Sequence, residues 1–329
     1  MTEVVRIHEV GAADRFVLET VETPVPATGE VLVSQRFAGV NYVDVYHRSG
    51  LYPLPKMPAI LGVEGAGVIE GLGPGVEGLS VGDRVAYALP FTGAYASART
   101  VPAERMIVLP ETVSEEAAAG SMLRGVTAHM LLHRVFPVGP GTTVLVHAAA
   151  GGLGLILCQW AKLLGATVIG TVGSPEKAEL ARAAGADHTV LYRDRDFVEA
   201  VLALTGGKGV NVAYDGIGGE TLARTLEAVR PFGMVASIGQ AGCPAPAVEL
   251  SQLGPRRSLC LSRPSAFAYM ADVAAYREAA TAFISLLAKG SLDVRIGARY
   301  PLADAQQAHL DLEARRTVGS ILLVVDAVR

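Results

Sequence analysis

The chain has 329 residues, half of them apolar, and 28 Lys and Arg against 32 Asp and Glu give a net charge of −4. At ~150 residues per domain the length suits two domains, and without a basic excess there is no field to gather nucleic acid or anionic lipid. Cys158, Cys243 and Cys260 are scattered and form no C-x-x-C pair, which excludes a disulfide scaffold or a Cys-rich zinc lobe.

The start, MTEVVRIHEV, carries Glu3, Arg6 and Glu9 where a signal peptide needs an unbroken apolar run. The most apolar window, Val144 to Leu157, is interrupted by His147 and by Gly151, Gly152 and Gly154 and is too short for a membrane span. A soluble, cytoplasmic protein is expected. From residue 1 to about 120, short β-branched runs such as Val31-Leu32-Val33 alternate with turn residues, among them Pro24, Pro26, Gly29, Gly73, Pro74, Gly75 and Gly82-Asp83. These predict a compact strand-rich domain. From about 122 the pattern becomes strand, glycine turn and amphipathic helix in repetition, which predicts a parallel sheet covered on both faces.

Strands are predicted at Thr143 to Ala148, Thr167 to Val172, Thr189 to Leu191, Val210 to Tyr214 and Met234 to Ile238. Helices are predicted at Leu153 to Leu164, Glu176 to Ala184 and Glu220 to Val229. In the first, Leu153, Ile156, Leu157, Trp160, Ala161 and Leu164 share one face. After Pro264 one long helix should present Val273, Tyr276, Ala280, Phe283, Ile284 and Leu287, and Ser320 to Val325 reads as a last strand rejoining the first domain. The fold class is α/β.

His147 to Gly154 follows a strand and opens a helix, the setting of a dinucleotide-binding turn. Ala149, Gly151 and Gly154 occupy the G-x-G-x-x-G positions. Small residues there let a pyrophosphate approach the free N–H groups of the helix start. An NAD site usually places a carboxylate ~20 residues beyond, at the end of the second strand. Here that stretch is Val172-Gly173-Ser174, followed by Lys177, which favours a 2′-phosphate and hence NADPH. A second cluster, Asn41 to Pro53, holds Tyr42, Tyr46 and Tyr52 beside Asn41. Flat rings with hydroxyl donors suit a planar carbonyl compound, and on spacing alone aromatic packing under a loop serves equally well.

Several stretches together resemble the zinc-free quinone oxidoreductases of the medium-chain dehydrogenase/reductase superfamily, the group that includes zeta-crystallin. They are Gly39-Val40-Asn41, Arg48 to Pro53, Gly62 to Gly67, Gly82 to Val85, His147 to Gly154 running into Cys158 to Lys162, Arg263-Pro264-Ser265 and Pro301 to Ala305. The resemblance spans essentially the whole chain. It implies a GroES-like catalytic domain over 1–121, completed by 265–329, and a Rossmann NADPH-binding domain over 122–264, with an active-site cleft between the two.

No metal is expected: Asn41 and Val63 stand where zinc-dependent relatives carry a catalytic Cys and His, and Leu89 to Gly93 runs straight through the region of their four-cysteine lobe. His47, His129, His133 and His147 are expected to be surface or core residues. The resemblance implies that Lys177 and Tyr192 hold the 2′-phosphate with Gly173 giving clearance, that Gly152 and Leu153 lie on the pyrophosphate, and that Thr127 approaches the nicotinamide. Ile238, Arg263 and Arg315 are candidates for the nicotinamide end and cofactor closure. Asn41, which also touches the cofactor, Tyr46 and Tyr52 would line the quinone pocket as hydrogen-bond donors, with Asp44 orienting them. Quinone reduction restores aromaticity and needs mainly alignment, so Lewis-acid help is dispensable. The alternatives are a zinc-free reductase of enones or acryloyl thioesters and a non-enzymatic NADPH-binding protein. A homodimer is expected, with Ala236 to Gly242 as a pairing edge.

Overall fold

The computed structural model describes residues 1–255 and 257–325. Arg256, in the predicted cofactor domain, and the last four residues of the predicted return segment lie outside the described residues. The chain forms two compact units, Met1–Val126 with Ala266–Arg329, and Thr127–Ser265.

The first unit is built on the long strand Glu30–Val40. Its inward positions Val31 and Val33 alternate with more exposed neighbours, as a pleated strand with one buried face requires. It pairs antiparallel with Glu64–Leu72, Ala98–Pro102 and Ser320–Val324, so the last strand lies beside one of the first. Thr2–Ile7 pairs antiparallel with Phe16–Val21 and Ala59–Ile60 in a second sheet. Val31, Val33, Val85, Tyr87, Tyr95 and Leu323 belong to the core of this unit. The loop Leu89 to Gly93 is fastened by Arg99, whose guanidinium lies 5.3 Å from the Tyr87 ring centroid and 5.9 Å from that of Phe91.

The long helix expected after Pro264 is Val273–Ala288, and a short helix, Ala266–Ala271, precedes it. The break falls at Asp272, whose carboxylate accepts from the amides of Ala274 and Ala275 and so starts a new helix. The buried face of the second helix carries Tyr276, Ala280, Phe283 and Ile284. Phe283 presses on Gly125, where a Cβ would lie 2.3 Å from its ring.

The second unit holds a six-stranded parallel sheet in the order His188–Leu191, Thr167–Val172, Thr143–Val146, Val210–Asp215, Val229–Ser237, Cys260–Ser262. Numbered along this unit the order is 3-2-1-4-5-6, the doubly wound arrangement that opens a ligand crevice where the order reverses. Phe197–Leu204, capped by Asp196, is a helix that the apolar pattern did not announce. The expected edge at Ala236 to Gly242 is corrected. Met234 to Ala236 pair with Cys260 to Ser262, so Val229–Ser237 is covered on both sides and Cys260–Ser262 is the edge.

Candidate functional site

In the second unit the strand Thr143–Val146 passes through Ala148 and Ala149 into the helix Gly152–Leu163. Ala148 has a φ of 50° and Gly151 donates its amide to the Ala148 carbonyl at 2.8 Å. This tight turn brings the helix start over the strand end. A Cβ on Gly154 would lie 2.3 Å from the Ala148 oxygen and 2.8 Å from the Ala149 Cα, so only glycine permits the approach. Ala149, at the first position of the glycine pattern, is fully buried and faces Gly170, whose Cβ would meet it at 2.7 Å. The missing first glycine is thus matched by one on the neighbouring strand. The first amides of the twelve-residue helix, Gly152 and Leu153 among them, have no carbonyl one turn back, and a helix start of this kind favours anions.

His147, at the end of the same strand, is a core residue. Its Nδ1 lies 2.8 Å from the Thr171 hydroxyl and its Nε2 2.9 Å from that of Thr225, and burial holds its pKa below the usual histidine value. Thr225 in turn donates to Asp215 at 3.1 Å.

The second strand ends in Val172-Gly173-Ser174 with no carboxylate. Ser174 caps the helix Pro175–Ala183 by accepting from the Lys177 amide, which places half-buried Lys177 in the first turn. The Tyr192 amide bonds the Val172 carbonyl, and the Tyr192 hydroxyl overlies Gly173, 2.8 Å from where a Cβ would be. Gly173, Lys177 and Tyr192 are therefore brought together. Arg263 donates to the Ser237 hydroxyl at 2.8 Å and to the Gly239 carbonyl at 3.2 Å, which tethers the segment containing Ile238. Thr127 is half-buried.

In the first unit Asn41 precedes the short helix Tyr42–Arg48. Tyr46 lies 5.2 Å from Tyr52 and 6.4 Å from Tyr42 by ring centroids, so the three tyrosines form one aromatic group. The Tyr42 hydroxyl is occupied by the Leu312 carbonyl. His47 stacks on Phe267 and meets the edge of Tyr52. Arg315, with a φ of 58°, is exposed in this unit.

Around Asn41 the structure adds Glu64, Tyr95, His309 and Arg48 to Asp44, the one member of this polar network with an expected role. The Asn41 Nδ2 donates to Glu64 Oε1 at 2.7 Å, and its backbone amide donates to Asp44 Oδ2 at 2.8 Å. Both carboxyls are wholly buried. Glu64 also accepts from the Leu123 amide at 2.7 Å and lies 3.6 Å from Arg124. Burial raises its pKa against these stabilising partners. Asp44 is pushed up to about 7 by burial, against the pull of the Asn41 amide and the Tyr95 hydroxyl. The Tyr95 hydroxyl lies 3.0 Å from both Asp44 Oδ2 and His309 Nε2, and His309 Nδ1 lies 3.1 Å from Arg48. One Asn41 amide hydrogen is engaged by Glu64, and the other is the one it can offer a ligand. Among the described residues no group of three or more His, Cys, Asp or Glu could hold a metal ion.

Two family patterns match the chain: the alcohol dehydrogenase GroES-like domain over residues 27–111 and the zinc-binding dehydrogenase family over 152–265. A quinone oxidoreductase of Salmonella typhimurium is 45% identical over 324 residues, covering 97% of this chain and 98% of that protein. A 2-haloacrylate reductase of a Burkholderia species is 43% identical, covering 98% of both. The crystal structure of Escherichia coli quinone oxidoreductase complexed with NADPH superposes with a TM-score of 0.95 at 40% identity, covering 98% of this chain and all of that one. With its likeness to the quinone oxidoreductases running nearly end to end, the chain belongs to the zinc-free quinone oxidoreductases of the medium-chain dehydrogenase/reductase superfamily.

Proposed function

We propose that this protein is an NADPH:quinone oxidoreductase. The observation that carries the reading is the nearly full-length likeness to quinone oxidoreductases, one of them an NADPH complex. The residues present fit that cofactor. Gly154 lets the helix start settle on the strand end, Gly173 lies under the Tyr192 hydroxyl, and no carboxylate stands at the end of the second strand to repel a 2′-phosphate. When bound, NADPH would supply the reducing electrons, and any proton that the quinone oxygens gain beyond its own hydrogen would come from solvent.

The chain's own residues bind and orient. The amides of Gly152 and Leu153 meet the pyrophosphate. Lys177 and Tyr192 give charge-assisted hydrogen bonds to the 2′-phosphate beside Gly173. Thr127 serves the nicotinamide amide, and Ile238, Arg263 and Arg315 serve its end of the cofactor. The second amide hydrogen of Asn41 and the hydroxyls of Tyr46 and Tyr52 donate to the oxygen on which negative charge develops. Asp44 keeps Asn41 in place. Such donors, fixed before reaction, stabilise that charge without reorganising.

Loss of nicotinamide absorbance on mixing purified protein with NADPH and 1,4-benzoquinone or a naphthoquinone tests this, with turnover expected and NADH expected to be the poorer donor. Tight NADPH binding without quinone turnover would overturn the substrate assignment. The likeness to a 2-haloacrylate reductase favours a second reading, reduction of an activated C=C bond. The same donors suit it, and enones, haloacrylates and enoyl thioesters assayed beside quinones separate the two. Among the described residues no helix is long and apolar enough to cross a membrane, in keeping with a cytoplasmic place of action. Homodimer formation through the edge Cys260–Ser262 is part of the proposal, and light scattering measures it.

A further inference from the structure

The hydrogen bonds that end on Asp44 have a fixed direction. An arginine can only donate, so His309 Nδ1 accepts from Arg48 and the ring proton of neutral His309 sits on Nε2. That proton goes to the Tyr95 oxygen, and the Tyr95 O–H is left to donate to Asp44 Oδ2. At the far end Arg48 is held by both oxygens of Glu313, at 2.9 and 3.0 Å. Asp44 Oδ2 thus accepts from Tyr95 and from the Asn41 backbone, while Asp44 Oδ1 is buried with no hydrogen-bond partner.

This arrangement serves a carboxylate. A proton added on Oδ2 would confront two donors, and one added on Oδ1 would be a buried donor without an acceptor. Glu64 on the strand Glu64–Leu72 opposes ionisation of Asp44, Arg124 on the helix Met122–His129 favours it, and Tyr95 donates to the carboxylate. On Asp44's own helix, His47 is held below its usual pKa by burial, and Arg48 faces the helix Ala305–Glu313 through His309 and Glu313. His309 is pushed down to about 3 by burial and by Arg48, so it stays neutral and cannot act as a charged relay. No proton passes along this chain from solvent, because its outer member, Arg48, does not give one up.

We propose that Arg48, His309 and Tyr95 are positioning residues for quinone reduction that act through Asp44, and that a proton taken up by Asp44 loosens its grip on Asn41 and lowers turnover. The proposal rests on the quinone reading. Asp44 is poised near neutrality, so the switch falls within the working range of pH. The energy of the buried charge comes to bear on one backbone amide beside the substrate donor.

The test is the pH profile of kcat between pH 5 and 9 with saturating NADPH and 1,4-naphthoquinone, with NADPH binding and thermal melting followed in parallel. Wild type is expected to lose turnover on the acid side. In Tyr95→Phe the loss of one donor should move that limb upward by about one pH unit, so that turnover on the limb falls about tenfold while NADPH binding is kept. Asp44→Asn should give a lower, flat profile. An unmoved limb in folded Tyr95→Phe, or a wild-type limb in Asp44→Asn, would overturn the proposal. Should Tyr95→Phe not fold, His309→Gln decides by the same shift. If wild type fails to reduce quinones, the functional reading fails, and the chain is judged separately from the carbon-13 carboxyl signal of Asp44. An unchanged midpoint in Tyr95→Phe sinks the chain, and a raised one upholds it.

Discussion

The two units position their chemistry by different means. In Thr127–Ser265 the proposed pyrophosphate site is made of backbone: a turn with Ala148 at positive φ, glycines that let a helix settle on a strand, and the first amides of that helix. In the other unit the proposed substrate site is made of side chains. Asn41 is held by Asp44 and Glu64, and Asp44 by Tyr95, His309 and Arg48. A backbone site is rigid and indifferent to pH, and it fails by steric exclusion. A buried polar site is tuned by charge, and it fails by leaving a donor or acceptor unpaired.

Substitutions can break this contrast. The largest effect is expected at Gly154. With a Cβ only 2.3 Å from the Ala148 oxygen, Gly154→Val should cost roughly 1–3 kcal/mol or more and abolish NADPH binding. A variant that binds NADPH normally, seen by fluorescence titration, would refute the steric account. Next, Lys177→Ala should raise KM for NADPH about tenfold or more and leave NADH unchanged, since only the 2′-phosphate loses a charge-assisted partner. Equal losses with both cofactors would place Lys177 elsewhere.

Asp44→Asn sharpens the contrast from the other side. The folded-state pKa of Asp44 is raised above its unfolded value, so its contribution to stability is present in acid and is lost as pH rises through about 7. The variant should therefore gain in Tm relative to wild type at pH 8 compared with pH 5, on the order of 2–4 °C. The same gain at both values would show that the carboxyl carries no such penalty. His309 has the opposite sign. Its folded pKa is depressed, so its stabilising effect is present above the unfolded value and is lost as pH falls. His309→Gln should flatten the decline in Tm below pH 6.5, and a slope equal to wild type would count against a neutral buried imidazole.

The contrast also explains what could be read beforehand. The strand, glycine turn and helix around His147 to Gly154 are a local pattern, and so are the missing carboxylate after Val172 and the nearness of Lys177. Each needs only neighbours in sequence. The return of Ser320–Val324 was legible as a strand, though its apolar pattern names no partner. The break at Asp272 was hidden because apolar spacing runs on across it, and the wrong edge at Ala236 to Gly242 arose because the three-residue strand Cys260–Ser262 is too short to announce itself. Of the network only Asp44 beside Asn41 was legible. Arg48 meets His309 across 261 residues and Tyr95 meets it across 214, and nothing in the surroundings of His309 distinguishes it from any helical histidine. Glu64 stood in a quoted motif without a role, and its burial is what gives it one.

The placing of Ser320–Val324 against Glu30–Val40 bears on how the molecule is made. Ile321 to Val324 bond to Val40 through Phe37, on a strand translated some 280 residues earlier. While the ribosome works through the intervening chain, the Phe37 to Val40 end of that strand stands open on this side, beyond the stretch that Ala98–Pro102 covers. The parallel sheet of the second unit has all its strands within one continuous stretch and can close as soon as Cys260–Ser262 emerges. The network around Asn41, which reaches His309 and Glu313, is completed late, so a nascent chain cut short of Ser320–Val324 carries a finished parallel sheet and an exposed adhesive edge.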